Sequence, residues 1–448
     1  MIENFERKMN YVQYFKNLLP SVLTMIFLSF YTTIDGFFVS RYAGSNALAG
    51  INIVIPVTCV TFGVAVMLAT GAGAVIGEKL GQKKDGEANE IFSFICMVLL
   101  IFSIVFTAAG VVFVDEIAVL LGSNEALMKH VVPYALVVFI GTIPMAFKLF
   151  FEYLVRNDGN PKIGLIMSVT GLILNVFLDY LFVGIYRMGT FGAAWGTTLS
   201  ISVSAMIGLV YFLKFSHIRF TRPKIRWKVL LKSCTNGSSE MLTEFSTGIT
   251  TFLFNIIIMS YFGEDGVAAV TIIMYIYYFF IAFYMGVAVA TAPIVSYNLG
   301  AENYDKIRET LRHSFITIAV SSALVVAISY LGGKGIIGIF SQPGHVFDIT
   351  WEGLKLFALV FVFIGVNVFL SGYFTALGNG LVSAVISFLR SFVLVVAFII
   401  LLPKFIGVSG VWLTMPLAET VTVIVALILF FKLGRVSIIK EKRISQTY

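Results

Sequence analysis

Four side chains in apolar surroundings have the chemistry to hold a small cation: Asp35, Asn175, Asp179 and Thr197, two carboxylates, an amide and a hydroxyl. An ionisable group at mid-bilayer costs about 2.5–3.5 kcal/mol on insertion scales, so each acid in such a stretch is a functional candidate. Asn175 and Asp179 are four residues apart and share a helix face. Asp35 and Asp179 stand about five residues from the outer ends of the first and fifth apolar runs, and Thr197 about six from that of the sixth. At about 1.5 Å rise per residue, the three lie at one depth, and they converge if their helices are neighbours. Two close carboxylates in low dielectric repel, so either one keeps its proton to higher pH or the pair recruits a cation. Such oxygens suit Na⁺, and the same group can take H⁺. The competing expectation is that each acid satisfies a backbone amide or a polar helix interface.

The other ionisable residues within apolar runs are few. Lys148 and Glu152 stand four apart on one face, where they neutralise one another. Glu240 and Glu244 share a face at the start of the seventh run, where an interfacial role competes with a functional one. Arg390 and Glu419, in the eleventh and twelfth, differ in depth by about one turn, so they either form a buried pair or contact substrate. The eighth run carries Tyr275, Tyr277, Tyr278, Phe279, Phe280, Phe283 and Tyr284 with Met274 and Met285, side chains able to hold organic cations of varied shape. Enzyme chemistry is not expected. The four histidines have no metal spacing, no Gly-Lys-Ser/Thr phosphate loop is present, and Cys59, Cys96 and Cys234 are too widely spaced to suggest a disulfide framework.

The elements that position these residues follow from composition. Of 448 residues 58% are apolar and only 12% charged, with mean hydropathy +0.94, too little charge to cover a soluble globule. The apolar runs are continuous over about 20 residues, which predicts helices and not barrel strands. Twelve are predicted, near 17–40, 47–77, 89–113, 131–155, 162–184, 191–214, 240–262, 267–297, 313–332, 353–377, 381–402 and 409–432. With the amino terminus inside, Lys and Arg divide 23 inside to 6 outside, so both termini are expected in the cytoplasm of a plasma-membrane protein. Topology accounts for the basic excess, and nucleic acid is not an expected partner. Residues 1–16 read as an interfacial turn leading into a retained helix, not a cleavable signal.

The basic stretch 216–235 divides residues 1–215 from 236–448 into two six-helix bundles. Gly44 and Gly263, Leu80-Gly81 and Leu299-Gly300, and Gly159-Asn160 and Gly378-Asn379 are each 219 apart, and Gly192 and Gly410 are 218 apart. Identity is low, so the constant offset carries the repeat. Six helices per half give parallel repeats about an axis along the membrane normal, enclosing a central cavity suited to alternating access. Under the offset, Asp35 maps to Phe254 and Asp179 to Phe398. The acids belong to one half only.

The chain resembles the multidrug and toxic compound extrusion (MATE) family. The resemblance is carried by Pro20 fifteen residues before Asp35, by GNPKIGLIMSVTGLILNVFLDYLF from Gly159 and by FGAAWGTTLS from Phe191. It implies that Asp35, Asn175, Asp179 and Thr197 bind H⁺ or Na⁺, that the first helix bends at Pro20, and that the protein is an antiporter, with no cofactor beyond the coupling ion. The expected partners are the lipid bilayer and amphipathic, often cationic, organic substrates, and the expected state is a monomer. Helix ten departs from some members in having Asn367 and no acid between 353 and 377, which leaves Glu240 and Glu244 without the partner those members have. Leu389-Arg390 and the PLAE of Pro416 to Glu419 resemble a bacterial branch. The alternative reading is a lipid-linked precursor flippase of the same wider fold group.

Overall fold

The computed structural model describes residues 3–42 and 45–435. Gly44, Lys440, Lys442 and Arg443 lie outside the described residues, as does the side chain of Asp35. Among the described residues twelve long helices follow one another. They are α1 (Tyr11–Tyr42), α2 (Ser45–Gly81), α3 (Asp85–Val112), α4 (Glu125–Ile140 and Thr142–Asn157), α5 (Pro161–Asp179, extended by a π turn), α6 (Gly189–Lys214), α7 (227–262), α8 (264–300), α9 (Tyr304–Phe340), α10 (His345–Phe357 and Val360–Ala376), α11 (Gly380–Ile406) and α12 (Val408–Gly434). Helices are the answer because a backbone in hydrocarbon must satisfy its N–H and C=O groups within the segment.

Several helices outrun the apolar windows that predict them, because hydrogen bonding continues into polar surroundings where hydropathy no longer signals it. The largest extension is at α7, which begins at Trp227. Glu240 therefore sits about 20 Å along its helix, not at its start. The extended linker is 215–226, and it lies along the first half. The Asp158 carboxylate accepts from the N–H groups of His217 and Ile218, Asn89 from Arg219 N–H, and Glu90 from Lys224 and Arg226.

The repeat is visible in backbone conformation. Lys83 and Glu302, 219 apart, have φ of 58° and 55°, and Gly159 and Gly378 have 77° and 75°. Helix α4 bends by 50° at Gly141 and α10 by 55° between Phe357 and Val360, at the corresponding place. Pro144, which deprives the carbonyl four residues earlier of its donor, accounts for a break in α4. The matching position in α10 is Phe363, so the bend belongs to the architecture and proline only eases it in one half.

Two apolar clusters build the first half and one the second. Tyr14, Leu18 and Val22 of α1 belong to the cluster of the second half, whereas further out α1 runs along α5 of the first. The division by sequence placed all of 1–215 in one bundle; the linker end of α1 is packed on the other. The halves meet most closely where α2 crosses α7 and α8. A Cβ at Gly71 would collide with the Ser233 carbonyl and one at Gly237 with that of Met67. Side chains such as Leu331, Phe405 and Ile173 stand exposed around the rim, as suits a lipid-facing surface of a multi-pass membrane protein.

Candidate functional site

In the first half, α5 and α6 bring Asn175, Asp179 and Thr197 together. Asn175 and Asp179 are fully buried. The Asn175 Nδ2 donates to Thr197 Oγ1 at 3.3 Å and to Asp179 Oδ2 at 3.5 Å. Gly196 makes the approach possible, since a Cβ there would collide with Asp179 Oδ1. The sequence singled out its neighbour Thr197 and passed over Gly196, whose importance appears only once α5 and α6 are docked. Asp35 is on α1, which runs along α5, but its side chain lies outside the described residues. Pro20 is inside the continuous helix α1, where its carbonyl accepts from Thr24 Oγ1.

Further towards the linker face, α4 holds a second buried group. Glu152 Oε2 is 2.7 Å from Lys148 Nζ and accepts from Ser168 Oγ at 3.0 Å, and Glu152 Oε1 is 3.8 Å from Arg156 Nη2. All three charged residues are at most 2% exposed. With Lys148 and Arg156 both beside it, Glu152 already has its countercharges, so the triad is a poor candidate for holding a further cation.

In the second half Arg390 and Glu419 form an ion pair, with Nη2 and Nε of Arg390 at 3.0 and 3.1 Å from Glu419 Oε1. Asn367 completes the site, its Nδ2 donating to Glu419 Oε2 at 2.6 Å and to the Glu419 carbonyl at 2.9 Å. The residue that marks a departure from some MATE members thus has a place: with Arg390 already beside Glu419, an amide donor fits where another carboxylate would repel. Arg390 lies in the π turn Leu389–Val393, the kind of local widening common at functional sites.

Glu240 is near enough to Arg390 to interact with its charge, though it is not its ion-pair partner. It lines a cavity of about 50 Å³ at the joint of the two halves, facing Tyr153 and Asn157 of α4. Glu240 and Glu244, one turn on, are both half-buried. Of the aromatic run, Tyr284 is sealed inside the second half, with its hydroxyl 3.2 Å from Ser322 Oγ, and Tyr277 is buried between Phe357 and Phe361. Tyr275, Tyr278 and Phe279 are exposed, Phe279 facing Phe30 of α1 across 6.3 Å.

The MatE family model matches residues 20–181 and 241–401, one stretch in each half and together well over half the chain. The chain belongs to the MATE family. Among related MATE proteins, the multidrug export protein MepA of Staphylococcus saprophyticus is 22% identical over 419 residues, covering 92% of each chain, and that of Staphylococcus aureus is 22% identical over 426 residues. A crystal structure of a MATE protein in complex with MaL6 superposes with TM-score 0.90 at 21% identity, covering 97% of this chain and 98% of the other. The outward-facing conformation of a multidrug resistance MATE family transporter of the MOP superfamily also gives 0.90 at 21% identity, over 98% of each chain. The fold is the twelve-helix, two-lobe MATE fold.

Proposed function

We propose that this MATE protein is a secondary antiporter of the plasma membrane, both termini cytoplasmic, that takes H⁺ or Na⁺ inward and expels amphipathic, often cationic, organic compounds by alternating access. The observation that carries the reading is the set Asn175, Asp179 and Thr197, its amide and carboxylate fully buried and its hydroxyl half-buried, in one lobe only, Phe398 standing at the repeat position of Asp179. A carboxylate buried among an amide and a hydroxyl favours an ion when charged, and its occupancy differs between two exposures of the site, which is what coupling needs.

The half-buried carboxylates Glu240 and Glu244, beside exposed aromatic rings, suit the organic cation. In the second lobe Arg390 is already committed to Glu419, and in the first Lys148 is committed to Glu152. Arg156 also flanks Glu152; buried beside their carboxylates, these cations are not presented to a pyrophosphate headgroup, which favours the antiporter over the flippase. Multidrug export, after which the MepA relatives are named, agrees with this reading.

The test is efflux of ethidium from proteoliposomes under a proton gradient alone and a sodium gradient alone. Efflux driven by at least one gradient is expected, and its loss in Asp179→Asn. Equal ethidium movement with and without either gradient refutes coupling.

A further inference from the structure

The first residues of the chain make a structure that transport by itself does not require. Before α1 comes a helical turn, Glu3–Glu6, and from there to Tyr14 the chain is bonded to the opposite lobe. The Phe5 ring is 8% exposed and 5.5 Å from that of Tyr297. Tyr297 Oη donates to Glu6 Oε1 at 2.8 Å, and Asn298 Nδ2 to the Phe5 carbonyl at 2.9 Å. Lys306 Nζ donates to the Arg7 carbonyl at 2.7 Å, and Glu309 Oε1 accepts from Met9 N–H at 3.0 Å. The hydroxyls of Tyr11 and Tyr14 meet Thr317 and Ser314 at 3.1 and 2.9 Å. Every one of these partners is on the last turns of α8 or on α9. Phe5 also belongs to an apolar cluster that spans the joint, with Leu80 and Ala88 of the first lobe and Ile294 and Tyr297 of the second.

Beneath this segment the lobes touch through a symmetric pair. A Cβ at Gly81 would collide with the Tyr297 carbonyl, and one at Gly300 with the Glu78 carbonyl. Gly81 and Gly300 are repeat mates, and so are Glu78 and Tyr297, each pair 219 apart. Each helix end therefore offers the other the same backbone surface, and the two fit only without side chains. Tyr297 takes part twice, its carbonyl in the glycine contact and its hydroxyl in the bond to Glu6.

We propose that residues 5–14 are a latch that holds the two lobes shut at the cytoplasmic face over the Gly81–Gly300 contact, and that it must be released before that face opens. The reading rests on alternating access as proposed above. Strap and glycine contact span the same joint, so parting the lobes there breaks Phe5–Tyr297, the Asn298 and Lys306 bonds and the glycine fit together. The same helix whose beginning is latched to the second lobe runs further out along α5, which carries Asp179, so the latch and the proposed ion site are joined by one continuous helix.

The experiment places a single cysteine at Ala292, which lines the cavity between the lobes, in protein with Cys59, Cys96 and Cys234 replaced by Ser. Inside-out membrane vesicles are treated with a membrane-impermeant maleimide, so that only opening to the cytoplasmic face labels the site. The strap is weakened in Lys306→Met with Phe5→Ala, and more gently in Tyr297→Phe; the glycine contact is propped open in Gly300→Ala. A rise of about tenfold in labelling rate is expected for the double variant, the population change expected from losing one charge-assisted hydrogen bond with its packing, a smaller rise for Tyr297→Phe and a large one for Gly300→Ala. If Gly300→Ala labels faster while both strap variants, folded and correctly inserted, label at the original rate, the latch is refuted and alternating access stands. If no variant gains, although the cysteine reacts after denaturation, the lobes do not part at this face and alternating access fails with it. Should Gly300→Ala not fold, the two strap variants still decide the latch.

Discussion

At Asp179 a single atom change separates ion chemistry from structure. Asn keeps the shape and can still accept from Asn175, so Asp179→Asn is expected to fold at near the original yield and to show no gradient-driven efflux per folded molecule; coupled transport by the folded variant would end the proposed mechanism. Glu419 is the opposite case. It takes bonds from both Arg390 and Asn367, and Glu419→Gln strands a buried guanidinium, a loss of about 3–5 kcal/mol. A marked fall in melting temperature is expected, largely recovered when Arg390→Met is added, and absence of recovery would favour contact with substrate over pairing. Within the α4 triad the same logic ranks two variants. Glu152→Gln leaves Lys148 and Arg156 together in a dry interior and destabilises more than Lys148→Met, which leaves Glu152 with Arg156 and Ser168. Efflux per folded molecule is expected to survive in both.

Between elements, the turn from α4 to α5 fastens the linker. Asp158 there is buried and accepts from Tyr211 Oη as well as from two linker N–H groups. Burial raises its carboxyl above the ordinary range, the hydrogen bonds from Tyr211 and Ser216 only partly opposing it. In the folded protein it therefore keeps its proton to higher pH than in the unfolded chain. Between those two pKa values the folded state binds more protons, so this residue's contribution to stability falls as pH rises through the window and is constant above it. Melting temperatures of the detergent-solubilised protein across weakly acidic pH are expected to show that slope, and Asp158→Asn to flatten it; an unchanged slope in the variant would assign it to another group.

For the molecule as a whole, the linker is bonded along the first lobe, while the lobes hold one another through α2 against α7 and α8, and through α1. Continuity of the chain at 222–223 thus contributes little to the joint. Two separately encoded pieces, 1–222 and 223–448, are expected to co-purify when expressed together and to restore gradient-driven efflux. Failure to co-purify, with each piece inserted in the membrane, would show that the covalent link and not the buried joint holds the lobes.

Much of this was legible without coordinates because bilayer insertion constrains sequence directly. Continuous apolar runs and the 219-residue offset determined the helices, and the offset reached as far as the paired left-handed residues Lys83 and Glu302. The spacing of Asn175, Asp179 and Thr197 was enough to pick out residues that meet, because neighbours on a helix are fixed by its pitch and α5 and α6 adjoin in the chain. What the tertiary structure alone decided are contacts between residues far apart in sequence. Hydropathy could not tell that α7 begins at Trp227 and carries Glu240 deep into the joint, that Asn367 faces Glu419, or that Gly196 clears space for Asp179. Nor could it assign the start of α1 to the second lobe, because an apolar helix face has the same composition whether it meets lipid or either lobe, and only docking distinguishes them.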